Sequence, residues 1–180
     1  MPKTNDSLAF NCPRIILNDN ENPLDPFIYS DSLIQGRERI YRLLNFCKQY
    51  FLGFEHAYIS SISNMLGVRE SYRVKCKFTI TSDYIKSGKR PSNCALACDY
   101  PVDIHSNKNT NDKLEKINKT YYVPIEALIS EKYNNLYAIG RIISADFESQ
   151  SALRTQMSCF SMGEAAAKDI IEKINLNKMQ

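Results

Sequence analysis

Glycine is scarce in this chain of 180 residues: there are six, at positions 36, 53, 67, 88, 140 and 163. No two stand as a GxG pair. That excludes the glycine-rich turn whose backbone approaches a dinucleotide pyrophosphate at a helix N-terminus. Long apolar runs are missing too, none nearing the roughly 20 residues that span a bilayer, so no membrane partner is expected. Met1 to Arg14 lacks an apolar core behind a basic start, so no secretory leader is expected and the cytoplasm is the natural assignment. Runs of one charge are also lacking. The 23 Lys and Arg are scattered among 20 Asp and Glu for a net +3, a pattern of solvated surface rather than of nucleic-acid binding. The six cysteines (12, 47, 76, 94, 98 and 159) are irregularly spaced, and only Cys94 and Cys98 are close. A CxxxC pair without a second pair or nearby histidines makes a poor metal motif, so free thiols and no metal are expected.

What remains is the composition of a globular protein, 43% hydrophobic and 24% charged. The length suits one ordinary domain or two small ones, able to bury about 70% of the unfolded surface. Residues 1–31 are rich in Asn, Asp and Pro and read as loop, with Ile15-Ile16-Leu17 as one short strand. Beyond Ser32, Leu33, Ile34, Ile40, Leu43, Leu44, Cys47 and Tyr50 recur at helical intervals and predict an amphipathic helix. Ala57 to Ile62 reads as strand. From Tyr72 to Ile80, apolar and polar residues alternate strictly, the period of a half-buried strand. Thr81-Ser82-Asp83 then caps a short helix ending at Gly88. Asn107 to Lys119 has no period and reads as an exposed loop. Thr120 to Val123 and Leu136 to Ile139 read as short strands around a helical turn at Ile125 to Ile129.

The C-terminal third carries the densest pattern. Asn135-Leu136-Tyr137-Ala138-Ile139-Gly140-Arg141 runs an apolar strand into a glycine, and Ser149-Gln150-Ser151-Ala152-Leu153-Arg154 follows after a polar loop. A helix is expected from near Ser151 to Asn175, with Leu153, Met157, Phe160, Ile170, Ile171 and Ile174 as its apolar face. Between them lies a band of small residues, Ser158, Ser161, Gly163, Ala165, Ala166 and Ala167. Glycine inside a helix costs roughly 1 kcal/mol against alanine, so something must come close there. A ligand and a tightly packed sheet explain the band equally well.

Read together, these segments resemble the FAD-dependent oxidoreductases of the glutathione-reductase-like fold, in a branch related to the flavin subunit of heterodisulfide reductase. The matching segments are Gly53-Phe54-Glu55, Gly67-Val68-Arg69-Glu70-Ser71, Asp99-Tyr100-Pro101-Val102-Asp103-Ile104-His105, Tyr122-Val123-Pro124, the run to Gly140-Arg141, Ser144, Ala152-Leu153-Arg154 and Gly163-Glu164-Ala165-Ala166. They keep the family's order over residues 35–174. The family's complete chains open with a strand, a glycine-rich turn and a helix for the ADP half of FAD, which has no counterpart here.

The resemblance implies an α+β, partial FAD/NAD(P)-binding flavoprotein fold without the N-terminal GxGxxG βαβ unit. A loop-rich segment would cover 1–31, and a helix with a β-rich substrate region 32–130. The final strand and helix of the FAD domain would cover 131–175, before a tail at 176–180. FAD is the implied cofactor, with Gly140, Arg141, Ser144, Ser151, Ala152, Leu153 and Arg154 on its flavin-ring side. Backbone N–H groups at Ala152 and Leu153 would face the ring's carbonyl edge. Two positions depart from the family: Arg141 stands where many relatives have an acid, and Ala167 where they tend to have glycine.

Asp103, His105 and Arg69 are the implied catalytic candidates. His105 suits proton transfer by its ordinary pKa near 6.5, or it simply caps a strand end. Arg69 would orient an anionic substrate or the flavin, or pair with Glu70 or another acid. Arg154 would stabilise flavin charge or cap a loop, and His56 reads as structural. The expected function is hydride transfer between a small molecule and flavin. The alternative is an inactive fragment or accessory subunit that folds against a partner chain carrying the nucleotide-binding half.

Overall fold

A computed structural model describes residues 2–4, 7–18, 20–104 and 113–178. The chain divides into two compact units, Met1–Val68 and Arg69–Gln180.

In the first unit, β1 (Pro2–Thr4) pairs antiparallel with β2 (Ser7–Leu8), and α1 runs from Pro26 to Tyr50. The helix starts six residues before the expected Ser32. Asp25 is its N-cap, with Oδ1 accepting from Phe27 N at 2.8 Å, and Pro26 brings the φ that a first helical residue needs. Leu33, Gly36, Ile40, Leu43, Leu44 and Cys47 turn inward and line a groove of about 1290 Å³ with residues 7–13, Ile15, Phe54 and residues 56–63. Ile34 and Tyr50, expected on that stripe, are instead more than half exposed. Only Ser32 and Cys47 of α1 are buried. Neither residues 15–17 nor 57–62 form the expected strands.

The second unit holds the core. Ile80, Ile85, Val102, Tyr121, Val123, Leu128, Ile143, Leu153 and Met162 are all fully buried in one cluster. Two small antiparallel sheets frame it: β3 (Cys94–Cys98) with β6 (Tyr121–Pro124), and β4 (Val102–Ile104) with β5 (Lys113–Glu115). Strand β5 falls inside the tract, 107–119, expected to be loop. The architecture is thus mixed helix and small sheets, consistent with α+β.

The alternation expected over residues 72–80 survives as burial from Val74 onward, with Tyr72 63% exposed, but not as a regular strand. Cys76 and Ile80 are buried while Lys75, Lys77 and Thr79 are exposed. The backbone, however, divides its hydrogen bonds between two neighbours. Lys77 N donates to Ile129 O at 2.9 Å on one side, while Val74 N reaches Ile142 O at 2.8 Å and Ile80 N reaches Ser144 O at 2.9 Å on the other. Isolated bridges result, antiparallel at Cys76–Ser130 and parallel at Ile80–Ala145. Leu136 to Ile139 likewise forms a single bridge, Tyr137 to Ile129, and not a strand.

Helix α2 (Ser82–Ser87) follows the sequence closely, with Thr81 Oγ1 accepting from Tyr84 N and Gly88 closing it at φ +66°. The long C-terminal helix is really two, α3 (Phe147–Leu153) and α4 (Gln156–Lys178). The break at Arg154-Thr155 has a local cause. Asp146 Oδ1 caps α3 through Ser149 N at 2.8 Å, and Thr155 then caps α4, its carbonyl taking Cys159 N at 2.9 Å. With the break in place, Ser158, Met162 and Ala166 become the buried stripe of α4. Met157, Phe160, Ile171 and Ile174 are exposed at 75, 69, 57 and 48%, against expectation.

Asp146 also reaches back to α2, where its Oδ2 accepts from Ser82 N at 2.6 Å. One carboxylate therefore serves the N-termini of two helices, where a negative charge is favoured by the helix dipole. Asp146→Ala is expected to lower stability by roughly 2 kcal/mol, about 1 for each cap, read as a lower urea midpoint at unchanged slope.

Candidate functional site at the junction of α3 and α4

The junction is organised by a side chain that the sequence reading passed over. Gln150 is 1% exposed, and its amide nitrogen donates to Arg141 O at 3.1 Å and to Arg69 O at 3.4 Å. Its backbone carbonyl takes Arg154 N at 3.1 Å, the bond that closes α3. The side chain of one buried glutamine thus holds the backbones of two arginines, at positions 69 and 141, against the helix that ends at Arg154. Its neighbour Ser149 is equally buried, and its Oγ has no hydrogen-bond partner among the described residues.

Arg154 and Asp103 come together. Arg154 Nη2 lies 3.4 Å from Asp103 Oδ2 and 3.2 Å from its carbonyl oxygen, with the two side chains 16 and 23% exposed. Burial, and then the charge of Arg69, push the Arg154 guanidinium below its usual pKa, while Asp103 pulls the other way. Glu70 pairs with Arg73 at 3.1 Å, so of the alternatives for Arg69 the ion pair with Glu70 is not formed. Arg73 also donates to Ala145 O at 3.0 Å.

Gly140 closes the other side of the junction. Its φ of +77° is a conformation that side-chain-bearing residues avoid, and a Cβ there would stand 3.7 Å from Cys159 Sγ. Cys159 is a half-buried thiol whose pKa is raised by burial and held back by Arg141. Its Sγ donates to Arg154 O at 3.7 Å, so the glycine turn, the thiol and the helix break are in contact. Arg141 is exposed, whereas Ser144 is buried, its Oγ 3.1 Å from Thr79 Oγ1.

Ser151, Ala152 and Leu153 are buried in the last turn of α3. Ala152 and Leu153 therefore sit where an α-helix commits each N–H to the carbonyl four residues back. The helix start nearest Gly140 belongs to α4. There Ser158 N reaches the Thr155 side chain at 3.5 Å, and the first two helical residues, Gln156 and Met157, are exposed. His105 lies outside the described residues.

The small-residue band packs against neighbouring segments. A Cβ on Gly163 would meet Ile139 Cδ1 at 3.6 Å, and Ser158 Oγ lies 3.7 Å from Cys98 Sγ on β3. Tyr121 donates to that thiol at 3.2 Å and to Tyr100 O at 3.0 Å, and burial raises its phenol pKa well above the ordinary value. Farther along α4, Lys173 reaches Asp169 at 2.6 Å and the Tyr137 hydroxyl at 2.7 Å, tying residue 137 to the helix. Among the described residues, no group of three or more His, Cys, Asp or Glu could hold a metal ion. Nor is any helix long and apolar enough to cross a membrane.

The sequence profile described as FAD dependent oxidoreductase matches residues 2–170, and the chain belongs to that family. The match begins well before residue 35, so it takes in the N-terminal segment and α1 as well. No curated protein and no solved structure matches the chain.

The family's cofactor is FAD. The residues present fit one end of it. The Gly140 turn and the open start of α4 offer backbone to a flat ring and positive potential to its carbonyl edge. They do not fit the other end. The described residues contain no paired parallel strands and no glycine-rich turn for a pyrophosphate.

Gln150→Met keeps the volume and removes both donors. It is expected to cost roughly 1–3 kcal/mol, because two partly buried carbonyls lose their partner. Faster hydrogen exchange around residues 69 and 141 should accompany the lower urea midpoint.

Proposed function

We propose that this chain forms the flavin-ring side of an FAD-dependent oxidoreductase, in the branch related to the heterodisulfide reductase flavin subunit. The observation that carries the proposal is the Gly140 turn set against Cys159 at the break between α3 and α4, in a chain of this family. Bound flavin would supply hydride acceptance from a small-molecule substrate. The chain's part is to hold and polarise. Gly140 admits the ring edge because no Cβ stands there, and the start of α4 with Arg141 and Arg154 favours negative charge on the ring. Ser144, Ser151, Ala152 and Leu153 form the packed floor beneath. Asp103, on β4, stands on the substrate's side, and His105 would manage the proton. A cytoplasmic setting suits the free thiols.

The second reading is that the ADP half of FAD is gripped by residues outside these 180, in a partner chain. Two observations favour it. The sequence has no GxG pair, and α4 exposes Met157, Phe160, Ile171 and Ile174 along one side. Such a stripe is what a covering partner would bury.

A titration of the 180-residue chain with FAD, followed in the visible band, tests the proposal. Saturable but weak binding is expected, with Gly140→Val losing it while the far-UV circular dichroism stays unchanged. A folded Gly140→Val variant that binds like the parent would remove the glycine turn from the site. Stoichiometric tight binding by the chain without a partner would show that the phosphates are held here after all.

A further inference from the structure

We propose that the outward face of α4 is a self-association surface, packing antiparallel against α4 of a second copy of this chain. The inference is independent of the flavin reading, and it leaves an ADP-binding chain to dock elsewhere.

The helix is buried along Ser158, Met162 and Ala166. On the opposite side, Met157, Phe160, Glu164, Ala167, Ile171 and Ile174 are all exposed. Their spacing alternates between three and four residues. That is the heptad rhythm by which two helices keep one seam facing each other. Four of the six are large apolar side chains, a stripe that a monomer leaves in water.

The order of residues along the seam fits a copy of itself. The stripe reads alike from both ends about a point between Ala165 and Ala166. In an antiparallel pair Met157 comes level with Ile174 of the second copy, Phe160 with Ile171, and Glu164 with Ala167. The one charge in the seam therefore meets the smallest side chain of the stripe. In a parallel pair Glu164 would face Glu164 of the second copy, and the like charges would repel.

The flanking charge agrees with this. Lys168 Nζ lies 2.6 Å from Glu164 Oε1 within the helix, with the two side chains 69 and 68% exposed. Four residues apart, they stand on one flank of the seam. In the antiparallel pair Lys168 comes within one residue of Glu164 of the second copy, about 1.5 Å along the axis. Each lysine then serves the glutamate across the seam, and the two-fold axis repeats the contact. One helix pair is a small interface, so the dimer is reversible.

Sedimentation equilibrium of the full chain, from about 1 to about 500 µM, tests the surface. A monomer–dimer equilibrium is expected. Phe160→Glu should weaken it at least roughly tenfold, by placing a charge in the seam. Its far-UV circular dichroism should not change, because Phe160 is exposed. Glu164→Lys and Lys168→Glu should each weaken the dimer too, since like charges then face each other. An equal mixture of these two variants should associate more tightly than either alone, because opposite charges then meet across the seam. A chain that stays monomeric over this range would overturn the proposal and leave the stripe to a different protein. So would a Phe160→Glu variant that dimerises as the parent does, or a mixture no tighter than its components.

Discussion

The buried amide of Gln150 is the constraint on which the functional end of this molecule depends. A glutamine with its side chain withdrawn from water must find partners for its polar atoms, and an unmade bond there costs more than a made one contributes. Here the nitrogen finds the carbonyls of Arg69 and Arg141, 81 and 9 residues away. Satisfying one group therefore draws two distant chain segments onto α3. Arg69 and Arg141 arrive with their backbones, beside Arg154 at the end of α3.

Asp146 plays the corresponding part for the elements around that point. It satisfies the first turn of α3 and the first N–H of α2, while its own N–H reaches Ile80 O at 2.8 Å. The helix that begins at Asp146 must end early, because Thr155 offers a second cap nine residues on. That break gives the molecule a fresh helix start beside Gly140. An unbroken helix from residue 147 would have hidden those N–H groups in its interior. Family membership says that FAD is the cofactor, and this break is the site proposed for its ring.

Much of the second unit could be read from sequence where the signals are local. Helix α2 was legible because Thr81 and Gly88 mark its two ends, and β6 because Tyr121 and Val123 alternate beside a proline. The start of α1 was also marked, by Asp25-Pro26, but the surrounding Asn-rich loop masked it. The α3–α4 break was harder, since Thr155 sits inside an otherwise continuous helical pattern. The 72–80 segment shows why a correct period does not guarantee a strand. Alternating burial fixes which side chains face inward, not whether the backbone bonds stay with one neighbour. Of the candidate site, Gly140, Arg154 and Asp103 were readable as residue types and do lie together or at the same junction. Gln150 was not, because nothing local distinguishes a glutamine that will be buried against carbonyls 81 residues away.

The central claim is that this chain grips the ring end of FAD and contributes little to the phosphate end. Comparing the affinities of riboflavin and FAD for the same preparation tests it most directly. If only the ring is held, the two should bind within roughly tenfold of each other, a difference under about 1.4 kcal/mol. FAD binding a thousandfold or more tighter than riboflavin, about 4 kcal/mol, would contradict the account, because the ADP half would then be recognised by these 180 residues.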